Sequence, residues 1–179
     1  SAPLITSSNV YSVAEGSTSI GEVTATDADG DNLTFSLAGV DAGVISIGST
    51  SGALSFKAAA DYELPVDAGG DNVYNVTAKV GDGTAFDARD LVITVTNNND
   101  APVITSDGSY EITENVKVIG NVDATDSDAG DTLEYSLSGD DADLMTISSA
   151  GALAFISPPD FENPTDASTP PDNIYEAEV

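Results

Sequence analysis

The chain has 179 residues, of which 31 are Asp or Glu and only 4 are Lys or Arg, so its formal net charge at pH 7 is −27. This charge would repel a polyphosphate backbone or an anionic lipid surface, which argues against nucleic acid and acidic membranes as partners. Histidine and cysteine are absent, which excludes Ser-His-Asp and Cys-His catalytic groups, thiolate metal sites and disulfides. No apolar run reaches the roughly 18 residues of a membrane-spanning helix, so direct membrane insertion is not expected.

The sequence contains two copies of one pattern. Residues 2–7 (APLITS) recur as residues 101–106 (APVITS), and Pro3 and Pro102 are 99 residues apart. A period of this length fits a whole small domain rather than one unit of a solenoid. We therefore predict two tandem domains, residues 1–100 and 101–179, which meet at the stretch 97–102 (NNNDAP).

The first copy has the pattern of an all-β domain. Short apolar segments are separated by Gly, Asp and Asn, and no stretch keeps an apolar period of 3.6 residues for long. Seven short strands in about a hundred residues predict an Ig-like, Greek-key β-sandwich. In chain order the predicted strands are Leu4–Thr6 with Val10–Val13, Gly21–Thr26, Leu33–Leu37, Val44–Ile47, Ala53–Phe56, Val73–Val80 and Leu91–Thr96.

The second copy follows the first but has no counterpart for the residues after Ala78. We therefore expect a second sandwich that lacks its last strands, with unpaired edges and an open core. Three explanations are open: the chain was clipped, later sequence supplies the missing strands, or another molecule supplies them.

Acidic side chains recur in register in the two copies. The run DADGD at 27–31 returns as DSDAGD at 126–131, and Glu15 returns as Glu114. Alternating Asp around Gly supplies the hard oxygen ligands that Ca²⁺ prefers, although Asp-Gly also occurs in ordinary hairpin turns. An EF-hand is excluded, because a loop starting at position 27 would need Gly at Asn32 and Glu at Ala38. Paired carboxylates can also cleave glycosides, but each acid here has a repeat-periodic calcium explanation, so no enzyme is predicted.

These motifs resemble those of the cadherin-like repeat, in the form found in bacterial surface proteins. The resemblance covers nearly the whole chain. It rests on an early Glu, an Asp-x-Asp loop, an Asp-x-Glu pair, an Asp in a late turn (Asp82) and an Asn/Asp-rich linker that ends in Pro. The residues that match are Glu15 and Glu114, Asp27/Asp29 and Asp126/Asp128, Asp61/Glu63 and Asp160/Glu162, and Asn97 to Pro102.

The resemblance implies a set of calcium ligands shared between the two copies. This set is Glu15, Asp61, Glu63, Asn97, Asn99, Asp100, Asp126 and Asp128. It also implies half-sites toward a preceding repeat (Asp27, Asp29, Asp82) and toward a following repeat (Glu114, Asp160, Glu162). Calcium bound from both sides would hold the two domains in a fixed orientation.

The function that follows is a calcium-rigidified extender or adhesion module of a secreted or surface-anchored bacterial protein. The expected partners are neighbouring cadherin-like repeats, with a cell-surface glycan or protein ligand as an addition. The alternative is a doublet whose main task is to bind carbohydrate or protein. The absence of Trp speaks mildly against a sugar platform, since such platforms favour exposed aromatic side chains.

Overall fold

The computed structural model describes the whole chain, Ser1–Val179, and consists almost entirely of β-strands and the loops between them. The chain forms two compact units, unit 1 from Ser1 to Asn99 and unit 2 from Asp100 to Val179. No helix in the structure has the length and hydrophobicity that a membrane span requires. The predicted all-β fold class is confirmed.

Unit 1 contains nine strands that form two main sheets and one short pair. The larger sheet has the order β2-β9-β8-β5, the smaller has the order β3-β7-β6, and β1 pairs with β4. The strands are β1 (Leu4–Ile5), β2 (Val10–Ala14), β3 (Ser19–Glu22), β4 (Ala25–Thr26), β5 (Thr34–Ala38), β6 (Ile45–Ile47), β7 (Ala53–Phe56), β8 (Val73–Gly81) and β9 (Phe86–Thr96).

Strand β9 occupies an inner position in the larger sheet. It runs parallel to β2, with Val10 opposite Val92, and antiparallel to β8, with Tyr74 opposite Ile93. Because its backbone is paired on both sides, β9 joins the first strand of this sheet to the rest of it.

The core of unit 1 lies between the two sheets. It takes alternate residues of each strand, as expected for a sheet with one face turned to the core. The most deeply buried large side chains are Tyr74, Ile5, Ile45, Leu54, Leu91, Ile93, Val23, Val80 and Val95. Tyr74 also packs edge-on against Phe56, with ring centroids 5.0 Å apart.

One predicted strand, Gly21–Thr26, is divided in the structure. Its first part belongs to β3, which pairs with β7, and its last part is β4, which pairs with β1. Between them the Val23 N–H donates to the Gly52 carbonyl oxygen at 2.9 Å. The division arises because the chain passes from one sheet to another at Val23.

Unit 2 repeats the smaller sheet of unit 1 but not the larger one. Strand β11 pairs with β14, β14 pairs with β13, and β10 pairs separately with β12. The elements are β10 (Val103–Ile104), β11 (Val118–Asn121), β12 (Ala124–Thr125), a 3₁₀ turn (Ala142–Leu144), β13 (Met145–Ile147) and β14 (Ala152–Phe155).

Unit 2 has no larger sheet because its segments lack a strand with which to pair. Residues 109–113 correspond to β2 but form no strand, and the equivalent of the β5–β8 ladder is reduced to a single bridge between Ser138 and Glu178. In unit 1 the strand that holds β2 is β9, and unit 2 has no equivalent of it. The prediction of a second sandwich without its last strands is therefore confirmed.

A buried carboxylate fixes the same loop in each unit. Asp41, which is 3% exposed, accepts hydrogen bonds from the Ala68 N–H and the Asn75 N–H, each at 2.7 Å. Asp141 does the same with the Ala167 N–H at 2.6 Å and the Glu176 N–H at 2.8 Å. These bonds tie a long loop to β8 in unit 1 and to the corresponding segment, residues 174–178, in unit 2.

Asp67 organises the turn that precedes β8. Its carboxylate accepts hydrogen bonds from the Asn72 N–H at 3.0 Å and the Asp71 N–H at 3.2 Å. Burial alone would raise the pKa of Asp67, but these backbone donors outweigh that effect and lower it below the ordinary value. Asp166 plays the corresponding part in unit 2, where it accepts from the Asn173 N–H at 3.0 Å.

Gly52 precedes β7 in a tight turn with a φ of +73°. A Cβ atom added to Gly52 would lie 2.1 Å from the Val23 carbonyl oxygen, which is backbone and has no room to move. Gly151 repeats this geometry in unit 2, with a φ of +78° and 2.1 Å to the Val122 carbonyl oxygen.

We predict that Gly52→Ala destabilises unit 1 far more than Gly70→Ala. Both positions have a positive φ, which costs an Ala roughly 1–2 kcal/mol. An added Cβ at Gly70 meets nothing within 4 Å, so only Gly52→Ala also has a backbone clash, which adds about 1–3 kcal/mol. Hydrogen exchange of β8 and β9 amides measures the stability of unit 1, and equal losses in the two variants would contradict this prediction.

We also predict that unit 1 loses stability in acid partly through Asp67. Because the folded-state pKa of Asp67 is lowered, its contribution is complete above the unfolded value of about 3.9 and is lost as the pH falls through the folded value. Asp67→Asn should therefore flatten the fall in unfolding free energy below about pH 4. The control is Glu22→Gln, which removes an equal charge at an exposed position, and equal flattening in the two variants would contradict the prediction.

Candidate metal centre

The first part of the predicted calcium site lies in unit 1, around Glu15. This residue directly follows β2, and its two carboxylate oxygens accept hydrogen bonds from the Tyr62 N–H at 2.8 Å and the Asn98 N–H at 2.7 Å. A carboxylate oxygen of Glu63 lies within 4.8 Å of one of Glu15. Backbone donors from two loops therefore hold Glu15 beside a second acid.

The other predicted ligands of unit 1 lie on the loops next to Glu15. Asp61 is exposed, and its Oδ1 accepts the Leu64 N–H at 2.9 Å, which fixes the turn that carries Glu63. Asn97 directly follows β9, Asn99 lies two residues further on, and both are exposed. All of the predicted ligands from unit 1 thus lie on short segments that adjoin the ends of strands or a fixed turn.

The second part of the predicted site lies at the start of unit 2. Asp126 directly follows β12, and its Oδ1 accepts the Asp128 N–H at 2.9 Å. Asp128 is only 8% exposed, and its Oδ2 accepts the Asp100 N–H at 2.6 Å. The structure therefore brings together Asp100, Asp126 and Asp128, all three of which the sequence predicts as ligands.

One acid of this cluster was missing from the predicted ligand set. A carboxylate oxygen of Asp131 lies within 4.8 Å of those of Asp126 and Asp128. In the sequence Asp131 is the third Asp of the 126–131 run, and the Asp-x-Asp motif includes only the first two. Asp31 is the equivalent residue in unit 1, where it lies within 4.8 Å of Asp27 and Asp29.

The predicted half-site of unit 1 toward a preceding repeat contains two preorganised acids. Asp27 Oδ1 accepts the Asp29 N–H at 2.8 Å. Asp82, in the turn between β8 and β9, accepts the Ala85 N–H at 2.6 Å and the Thr84 N–H at 2.7 Å, and it also accepts the Thr84 hydroxyl. These donors lower the pKa of Asp82 to about 2, so its carboxyl is ionised at neutral pH. Its other oxygen, Oδ2, is buried without a hydrogen-bond partner.

The predicted half-site of unit 2 toward a following repeat has the same construction as the Glu15 region. Glu114 accepts the Phe161 N–H at 3.2 Å, and Asp160 accepts the Glu162 N–H at 3.1 Å. One carboxylate oxygen from each of Glu114, Asp160 and Glu162 lies within 4.8 Å of the others. All three side chains are exposed.

Each of the four basic side chains contacts a neutral group of the chain. Lys57 and Lys117 donate to backbone carbonyl oxygens, Lys79 lies 3.8 Å from the centroid of the Phe86 ring, and Arg89 donates to the Ser7 carbonyl oxygen. A bound cation would offset the charge of the clustered acids.

The donor atoms in these clusters fit a hard divalent cation. They are carboxylate oxygens, with amide oxygens available from the Asn side chains, whereas the chain has no imidazole or thiolate donor. Calcium takes six to eight such oxygens, and zinc prefers nitrogen and sulfur. The residues present therefore suit Ca²⁺.

No protein-family model matches the sequence, and no curated protein matches it significantly. Solved structures do match. Human protocadherin-24 EC1-2 is 24% identical, with a TM-score of 0.62 over 92% of this chain and 82% of that one. Drosophila N-cadherin EC1-4 is 26% identical, with a TM-score of 0.56 over 87% of this chain and 40% of that one.

Mouse cadherin-23 EC22-24 gives the same result, at 23% identity and a TM-score of 0.54 over 90% of this chain and 56% of that one. These likenesses cover both units and agree with the acidic motifs that the sequence places in each copy. The chain therefore has the cadherin-like β-sandwich fold that its motifs predicted.

Proposed function

We propose that this chain is a calcium-rigidified extender or adhesion module of a secreted or surface-anchored protein, of the bacterial cadherin-like type that its motifs resemble. The observation that carries the proposal is the placement of acids in both units. Carboxylates are clustered at equivalent strand ends, and backbone N–H groups hold several of them in place. Calcium in this role is structural, and the chain is not an enzyme.

The ligands we propose come from both units and from the segment that joins them. Asn99 and Asp100 are consecutive, so the last ligand of unit 1 and the first ligand of unit 2 are one peptide bond apart. The full set is Glu15, Asp61, Glu63, Asn97, Asn99, Asp100, Asp126 and Asp128. When bound, Ca²⁺ supplies positive charge and a cross-link among these oxygens.

The chain's own hydrogen bonds would prepare the ligands for this task. The Tyr62 and Asn98 N–H groups orient Glu15, and the Asp100 N–H orients Asp128. Such bonds fix the acids before an ion binds, which reduces the entropy cost of binding. The remaining clusters at 27–31 and at Glu114, Asp160 and Glu162 would serve neighbouring repeats in the same way.

We predict that calcium raises the melting temperature and reduces the range of orientations of the two units. A free calcium concentration a hundred times the Kd adds about 2.7 kcal/mol to stability if only the folded chain binds. Small-angle scattering and thermal unfolding, each with calcium and with a chelator, measure the two effects. Identical scattering curves and melting temperatures in both conditions would refute the proposal.

We predict that Asp100→Ala weakens calcium binding roughly tenfold or more, because it removes one charged oxygen ligand while leaving the backbone N–H that binds Asp128. The matched control is Asp140→Ala, which removes an equal charge at an exposed position outside the clusters. Calorimetry measures the affinities, and circular dichroism checks that unit 1 remains folded. Equal affinities in the two variants would exclude Asp100 as a ligand.

A further inference from the structure

Asn72 lies directly before β8 and has an unusual conformation for a residue with a side chain. Its φ is +63°, in the left-handed region that glycine occupies most readily. Asn72 is only 7% exposed, and its Oδ1 atom is buried without a hydrogen-bond partner. Both features are unfavourable, because a Cβ atom crowds the left-handed backbone and a buried oxygen loses its hydrogen bonds to water. The fold thus keeps Asn72 in spite of two penalties.

Glycine would meet the backbone requirement at position 72 with less strain. Gly16 and its equivalent Asn115 have φ values of +75° and +64°, so a positive φ in this fold does not by itself require Asn. The backbone of Asn72 donates to Asp67 and accepts from the Val95 N–H, and glycine could make both bonds. The reason for Asn therefore lies in its side chain.

The side-chain amide of Asn72 holds a loop that carries two proposed calcium ligands. We call residues 61–63 the acid loop, since Tyr62 lies between Asp61 and Glu63. Asn72 Nδ2 donates a hydrogen bond to the Tyr62 carbonyl oxygen at 2.8 Å. The Tyr62 N–H in turn donates to the Glu15 carboxylate at 2.8 Å. Asn72 thus fixes the residue that contacts a third proposed ligand.

Unit 2 contains the same chain of hydrogen bonds. Asn173 has a φ of +67°, and its Nδ2 donates to the Phe161 carbonyl oxygen at 3.1 Å. The Phe161 N–H donates to the Glu114 carboxylate at 3.2 Å. Phe161 is also the central residue of an Asp-x-Glu pair, formed by Asp160 and Glu162. A left-handed Asn and an Asp-x-Glu loop therefore occur together in both copies of the sequence.

We propose that Asn72 is a positioning residue of the calcium site, and that its amide orders the acid loop before an ion binds. This inference rests on the proposed calcium function. Asn72 acts through Tyr62, which holds Glu15 and separates the two acids of the loop. A loop that is already ordered loses less conformational entropy on binding, so the amide of Asn72 raises the affinity for Ca²⁺.

The first test compares the whole chain with Asn72→Gly, which removes the amide but keeps a residue that adopts a positive φ readily. In chelator, the Tyr62 amide should exchange with solvent roughly three- to tenfold faster, since the acid loop loses one hydrogen bond. Hydrogen exchange followed by NMR measures this rate without a bound metal. An unchanged Tyr62 exchange rate overturns the proposal.

The second test is the calcium affinity of the same two chains, read from the Tyr62 and Asn98 amide signals during a calcium titration. Both amides donate to Glu15, so they report on this site. Asn72→Gly should bind Ca²⁺ roughly three- to tenfold more weakly, with the wild-type melting temperature in chelator. A lower melting temperature with unchanged affinity would show a structural role only and overturns the proposal.

Two further variants identify the cause of any change. Asn173→Gly makes the same substitution in unit 2 and should leave the Tyr62 exchange rate unchanged. Asn72→Asp also lacks the amide donor but has less backbone freedom than glycine, so it should speed Tyr62 exchange as well. Wild-type exchange in Asn72→Asp, or faster Tyr62 exchange in Asn173→Gly, overturns the proposal.

The exchange measurement separates this inference from the proposed function. If the wild-type chain binds no Ca²⁺ at millimolar concentration, the proposed function fails. The exchange rates in chelator still decide whether Asn72 orders the acid loop, because they require no ion. If the chain binds Ca²⁺ and the affinity is equal in wild type and Asn72→Gly, the proposed function stands and the role of Asn72 is overturned.

Discussion

The pairing of β9 on both of its sides is the interaction on which the larger sheet of unit 1 depends. It connects β2 to β8 and places three aliphatic side chains in the core. Residues 100–179 include no equivalent of β9, and in them residues 109–113 form no strand and the counterpart of the β5–β8 ladder is the single bridge between Ser138 and Glu178. Long-range pairing, rather than local propensity, therefore determines whether these segments become strands.

The second constraint is charge. An excess of carboxylates destabilises a compact chain by self-repulsion, and each basic side chain here is used elsewhere, on carbonyl oxygens or an aromatic ring. Backbone N–H groups offset part of this repulsion, because their hydrogen bonds stabilise the ionised carboxylates of Asp82 and Asp67. These neutral donors cannot cancel a net charge. A bound cation would therefore reduce the repulsion among the clustered acids further.

Much of this arrangement could be predicted from the sequence because it repeats. Alternation of apolar residues located β7 and β8 closely, and matching acids in the two copies identified the clusters. The division of Gly21–Thr26 could not be predicted, because it depends on which distant strand each half pairs with. Asp131 was overlooked because its position in the cluster depends on how the loop folds, whereas the motif counts only spacing.

The acidic loops of unit 2 rest on local interactions that do not involve the larger sheet. Asp126 and Asp128 are held by local backbone hydrogen bonds, and Asp141 ties its loop to residue 176, as Asp41 does in the closed unit. None of these bonds requires an equivalent of β9. Unit 2 can thus keep its acidic loops in order without the larger sheet that unit 1 has.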